Sequence, residues 1–217
     1  MPESTPAIAT IMERLKAASE DLHRMAEGRE LQRLLVRGTL PRPLYETYLA
    51  QMHLVHTALE DRIREVAREH PAFASVVRDY HWREPQLRAD LVFLGGEVAQ
   101  IDPLPAARAL IEHIDREAAD CPVALLGMLY VLEGSTNGSK FIARSIGKAY
   151  GLSAGPGLSY LDPHGDLQRD RWLTFKQDMN AVDLSENEKT RIIAAARATF
   201  QAVADLSDEL MEPVGVS

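Results

Sequence analysis

The sequence predicts an all-helical protein of one domain, and three observations carry that expectation. Apolar residues recur at steps of three and four almost throughout the 217 residues, strand-like alternation is scarce, and no repeat, low-complexity tract or linker divides the chain. A chain of this length can bury a sizeable core in a single unit, so residues 1–217 are read as one domain.

A first helix, starting near Ser4, carries Ile8, Ile11, Leu15, Ala18, Leu22 and Met25 on one stripe. Gly28 interrupts it, and Gly38 with Pro41 and Pro43 closes the region. The second helix begins after Pro43 and holds Tyr45, Leu49, Met52, His56, Leu59, Ile63 and Val66. Pro71 stops it, because proline cannot continue the hydrogen-bond ladder. A third helix runs from about Pro85 to Val98, and a fourth from about Leu104 to Ala118. The fifth spans Pro122 to about Ala149 and is apolar early, then reads Glu133-Gly134-Ser135-Thr136-Asn137-Gly138-Ser139. Each interior glycine costs a helix about 1 kcal/mol relative to alanine, so a long helix weakened at its centre needs a reason. Gly151 to Gly165, with Pro156 and Pro163, reads as a surface loop. Two closing helices follow, the last opening at Ser185 with Glu188 at the spacing of a capping box.

The net charge of −8 and the absence of a basic run argue against nucleic acid as a partner. A single cysteine, Cys121, excludes an internal disulfide and a cysteine-based zinc cluster, and fits a reducing compartment. Met1 to Thr10 lacks the pattern of a secretory signal, and the longest apolar stretch, Pro122 to Leu132, falls short of the about 20 residues a membrane span needs. The expectation is a cytoplasmic protein with no membrane span.

Three segments could carry chemistry. His23 lies at the border of the first apolar stripe, on the face that holds Lys16 and Glu27. Lys16 is two turns before His23, about 10 Å along the axis. A neutral imidazole there suits an axial iron ligand and the lysine an anion on the same ligand, although a boundary histidine with no ligand has the same pattern. Gly134 and Gly138 strip side chains from one helix face, which serves either a flat ligand or close helix packing. Ser135, Thr136, Asn137 and Ser139 favour the ligand, since their polar groups could order water over it. The amphipathic run Trp172 to Asn180 offers Lys176 as a second cation, or simply as a solvated lysine.

In this order and separation, the segments resemble the haem oxygenase family from about residue 8 to 210. Leu22-His23-Arg24-Met25-Ala26-Glu27 matches the family's proximal-ligand motif, which makes His23 the metal ligand and Glu27 part of the cofactor site. Lys16 and Lys176 fall where propionate-pairing residues occur. Tyr130 to Ser139 resembles the distal helix, especially of bacterial members, placing Tyr130, Gly134, Ser135 and Gly138 at the haem, the last three as catalytic positions. The resemblance implies haem held between the first helix and a glycine-kinked distal helix. It also implies cleavage of that haem, with O2 and electrons from an external donor such as a ferredoxin, a flavodoxin or a reductase, to biliverdin, carbon monoxide and ferrous iron. Monomer is the family default. Three positions depart from the pattern: Ser135 replaces an aspartate that orders water, Ser139 replaces a second glycine, and Glu20 stands where a basic residue often occurs.

Two competing readings remain at this stage. A carboxylate-bridged di-iron oxidase wants two Glu-x-x-His pairs, whereas this chain has Glu20 with His23, plus His53, His56 and Glu60 on the second helix. A haem-binding, storage or sensing protein that has lost turnover is favoured by Ser135 and Ser139.

Overall fold

Helix α1 (Ile11–Glu27) begins at a reciprocal cap: Thr10 Oγ1 accepts from the Glu13 N–H, and the Glu13 carboxylate accepts from the Thr10 N–H at 2.8 Å. The computed structural model describes residues 9–96, 98 and 101–212, so the expected start near Ser4, and Ile8, lie outside the described residues. Gly28 ends α1, and a separate helix, α2 (Glu30–Arg37), follows and stops at Gly38 in the left-handed region. The remaining helices are α3 (Arg42–Val66), α4 (Pro71–Val76), α5 (Glu84–Leu94), α6 (Pro105–Asp120), α7 (Leu125–Tyr150), α8 (Gln168–Ala181) and α9 (Glu186–Met211). No strand occurs among the described residues.

Several boundaries differ from the sequence reading, each for a local reason. Pro71 opens the short helix α4 rather than only stopping α3, because proline's missing N–H is no loss in a first turn. Helix α5 ends at Gly95, whose φ of 93° breaks the helix before Val98. Pro122–Ala124 forms a tighter 3-10 turn, and α7 proper starts at Leu125. The capping box at Ser185 forms as expected, with Glu188 on the Ser185 N–H at 2.8 Å.

Helix α9 packs on α1, α2, α6 and α7, while α3 packs on α5 and α6. The stripe Tyr45, Leu49, Met52, Leu59 and Ile63 is buried against those neighbours, which is where apolar burial stabilises the fold. Close approach of α7 to α9 rests on Gly127: a Cβ there would lie 2.0 Å from the Ile192 carbonyl oxygen. Helices α1 and α7 both lean on α9 but barely touch each other, and the space between them is the site described below.

The segment 151–165 is not the surface loop its glycines and prolines suggested. It is a strap that buries Leu158, Tyr160, Leu161 and His164. The fully buried Asp90 carboxylate accepts the N–H groups of Gly157 and Tyr160, each at 2.8 Å, and the Tyr45 hydroxyl donates to the Gly157 carbonyl at 2.9 Å. Buried backbone groups need partners, and Asp90 supplies two of them.

Candidate functional site

A cavity of about 930 Å³ opens between α1 and α7, closed by α2, α3, the strap, α8 and α9. The residues expected at the haem all border it: Lys16, His23 and Glu27 from α1, Tyr130, Gly134, Ser135 and Gly138 from α7, and Lys176 from α8, whereas His53, His56 and Glu60 do not.

His23 is half-exposed at the mouth. Its Nδ1 lies 3.5 Å from the Glu27 carboxylate, one turn on, and its ring meets Phe200 edge-on with centroids 5.4 Å apart. Nε2 has no hydrogen-bond partner among the described residues, so one ring nitrogen is oriented while the other stays open. Lys16 and Lys176 make no ion pair among the described residues. Glu20, the acidic departure at the rim, is paired with Arg24 at 3.2 Å, which offsets its charge beside the two lysines.

The inner wall is aromatic. Tyr130 lies against Trp172 with centroids 5.9 Å apart, and Trp172 stacks on Phe175 at 5.5 Å with rings 17° from parallel. Burial raises the Tyr130 phenol, against a hydrogen bond with Ser19, so the group stays protonated at neutral pH.

The two glycines of α7 do different work. A Cβ on Gly138 would meet nothing within 4 Å, so its missing side chain is open cavity. A Cβ on Gly134 would sit 3.3 Å from the Trp172 ring, so that glycine chiefly makes room for an aromatic neighbour. The helix runs unbroken through both. Its polar side chains turn back onto backbone carbonyls: Ser135 Oγ donates to Leu132 at 2.7 Å, Thr136 Oγ1 to Glu133 at 2.6 Å, and the Asn137 amide to Gly134 at 2.9 Å. Ser139 Oγ donates to the Leu161 carbonyl and thereby ties α7 to the strap. The hydroxyl hydrogen expected to order water at Ser135 is therefore already spent on its own helix, a conformation that such residues adopt readily.

Behind that wall lies a buried charged cluster that the sequence reading missed. Arg83 pairs with Glu133, His164 Nε2 meets Glu133 Oε1 at 2.6 Å, and Arg171 meets His164 Nδ1 at 2.7 Å. A His164 tautomer with hydrogen on Nε2 satisfies the Glu133 and Arg171 contacts, while Arg83 Nη2, 2.7 Å from the same nitrogen, directs its hydrogens to Glu133. Burial alone would raise the Glu133 carboxyl, but the His164 hydrogen bond and the Arg83 charge outweigh it and hold the group below its ordinary range. One signal was available: Glu133 directly follows the apolar run Leu125 to Leu132, where an acid is costly unless paired.

The candidate metal set on α3 is otherwise engaged. His53 Nε2 contacts Glu84 at 3.2 Å, and Glu60 Oε1 accepts the N–H groups of Arg83 and Glu84 at 2.6 and 3.0 Å, capping the start of α5. Among the described residues no group of three or more histidine, cysteine or acidic side chains is placed to hold a metal ion.

Solved structures with this architecture place the chain in a class. It superposes on heme oxygenase-1 from the cyanobacterium Synechocystis in complex with heme with a TM-score of 0.85, at 20% identity, covering 94% of this chain and 93% of that one. Against heme oxygenase-2 from Synechocystis in complex with heme and NO the TM-score is 0.86, at 21% identity, covering 93% and 85%. At those identities the likeness speaks for the fold. Sequence carries it further: the profile of the Heme oxygenase family matches residues 9–209, and human Heme oxygenase 1 is 27% identical over 218 residues, 97% of this chain and 74% of that protein. The chain belongs to the heme oxygenase family.

Proposed function

We propose that this protein binds haem in the α1–α7 cavity and degrades it, as a haem oxygenase. The observation that carries this reading is the opening at Gly138, which borders the same cavity as His23, Lys16 and Lys176 on the fold of that family. The residues present suit the group: an imidazole with a nitrogen uncommitted among the described residues for iron, two ammonium groups without an ion pair among them for propionates, and the Tyr130 and Trp172 rings for the ring edge. When bound, haem supplies the iron that activates O2 with electrons from an external donor, and its own ring is the substrate, yielding biliverdin, carbon monoxide and ferrous iron.

The chain's part is to bind, orient and shield. Glu27 orients the His23 ring through Nδ1, which leaves Nε2 as the nitrogen to hold iron. Lys16 and Lys176 set the in-plane rotation of the haem and so which meso carbon is attacked. Gly134, Ser135 and Gly138 shape the space over the ring, and Tyr130 with Trp172 keeps water from the inner edge. We place the protein in the cytoplasm as a monomer supplied by a ferredoxin, a flavodoxin or a reductase. No described helix is long and apolar enough to cross a membrane, which fits that setting.

A haem-holding protein without turnover is the second reading, favoured by the Ser135 hydroxyl donating to Leu132 rather than into the cavity. Haem titration followed by reduction under air separates the two. Biliverdin absorbance, with carbon monoxide released, is expected; a haem band that persists under O2 and reductant would leave storage.

A further inference from the structure

With the hydroxyl hydrogens of Ser135, Thr136 and Ser139 committed to backbone carbonyls, hydrogen bonding into the cavity has to come from elsewhere. Two phenols, Tyr48 of α3 and Tyr160 of the strap, border the cavity where those elements meet. Tyr160 is held in place through the Asp90 grip on its own N–H. Its hydroxyl lies 3.4 Å from His56 Nε2, with the two rings edge-on at 5.5 Å. His56 Nδ1 lies 3.6 Å from Glu60 Oε1. The other Glu60 oxygen accepts from Arg64 Nη2 at 3.2 Å, and the Arg64 side chain is 43% exposed. The groups that can carry a proton therefore run from Tyr160 at the cavity through His56 to Glu60, whose other oxygen meets the half-exposed Arg64.

We propose that Tyr160 and His56 form a buried relay that moves protons between Glu60 and the cavity, with Tyr160 donating to a small ligand held there. This rests on the haem reading of the cavity. The step moves one proton and no electrons. His56, protonated from the Glu60 side, passes its Nε2 hydrogen to the Tyr160 oxygen while the phenol passes its hydroxyl hydrogen to an acceptor in the cavity. His56 is left neutral with its hydrogen on Nδ1, towards Glu60.

The charges around His56 suit that role. Burial lowers its pKa, Glu60 on its own helix and Glu133 from α7 act to raise it, and Arg83 ahead of α5 lowers it further. Tyr160 meets the ring at Nε2 and shares a hydrogen bond with Tyr48, the phenol through which its proton also reaches the cavity wall. The net effect is lowered, so the ring takes up a proton without keeping it. Burial raises the Tyr160 phenol well above the ordinary range, so it hands on a proton only as it receives one.

Fluoride binding to the ferric haem complex, followed by visible absorbance between about pH 5.5 and 7.5, tests the relay, because a hydrogen-bond donor strengthens the hold on this small anion. In the wild type its affinity should rise by up to about tenfold per unit fall in pH, as one proton is taken up with the anion. Tyr160→Phe keeps the ring and removes the donor, so affinity should drop roughly tenfold and the pH slope vanish. His56→Gln keeps a polar side chain that takes up no proton, and should flatten the slope while leaving haem affinity unchanged. Wild-type affinity and slope in both variants would overturn the relay, as would loss of haem binding in Tyr160→Phe, which would make the phenol a packing residue. A wild-type chain that takes up no haem would remove the haem reading and the relay with it, whereas haem binding with unaltered variants removes the relay alone.

Discussion

His23 presents one ring nitrogen to Glu27 and leaves the other without a partner, a division of labour that suits a metal ligand with an orienting second contact. His23→Ala should abolish the histidine-ligated haem spectrum while changing the stability of the free protein by no more than about 0.5 kcal/mol, since the side chain is half-exposed. An unchanged spectrum would move the ligand elsewhere. Gly138 permits a sharper test of where the haem sits. Because its missing side chain leaves open space, Gly138→Leu should fold normally and lose haem affinity, read by titration of the intense haem band. The same change at Gly134 would collide with Trp172 and confound the two effects. Lys16→Ala and Lys176→Ala should weaken binding modestly or redirect ring opening, seen in the biliverdin isomer formed. At this scale the sequence named residues that do share one cavity, because a helical repeat puts Lys16, His23 and Glu27 on one face. It could not name Tyr48, Tyr160 or Trp172, whose approach to the cavity depends on how helices and strap meet.

Helix α7 illustrates how one element serves packing and ligand space at different points along its length. Gly127 lets its backbone reach α9, and Gly127→Ala should therefore cost about 1–3 kcal/mol in a thermal or denaturant melt, because a helix backbone cannot step aside as a side chain can. Eleven residues on, Gly138 packs against nothing. The spacing of Gly134 and Gly138 alone left close packing and a flat ligand equally open; the structure sets Gly134 against the Trp172 ring and leaves open space at Gly138. The strap is the other instructive element. Its glycines and prolines are real turn signals, yet Leu158, Tyr160 and Leu161 are buried because Asp90 on α5 satisfies the backbone they bring inside. Asp90→Ala should orphan those N–H groups and make residues 151–165 markedly more susceptible to limited proteolysis, with little change in cutting elsewhere.

For the molecule as a whole, buried ionisable groups set an acid limit. Burial pushes His81 down to about 4, whereas its unfolded counterpart takes up a proton below about pH 6.5. Between those values the unfolded chain binds more protons than the folded one, so stability should fall as pH drops from about 6.5 towards 4, by on the order of 3 kcal/mol from this group. Glu133 acts in the same direction lower down. Its folded pKa is depressed, so its contribution is present above the ordinary value of 4.5 and is lost as pH falls through the folded value. Denaturant melts across this range should show the loss beginning above pH 5, and His81→Phe should reduce the upper part of the slope, the remainder coming from His56 and His113, whose pKa values burial also lowers.

The sequence by itself determined that the chain is helical, where most helices lie, and that one face of α1 and one stretch of α7 carry ligand-type residues. Those features are local: helical periodicity, caps such as Ser185 with Glu188, and proline and glycine stops act over a few residues. Only the tertiary structure decided that Lys16, His23, Lys176 and Gly138 line one cavity, that Ser135 turns its hydroxyl back onto α7, and that Glu133 meets Arg83 and His164 far along the chain. Those outcomes depend on desolvation and on contacts between distant segments. The cavity-lining face of α1 was legible as a pattern, and the paired groups behind α7 became visible only once burial made partners necessary.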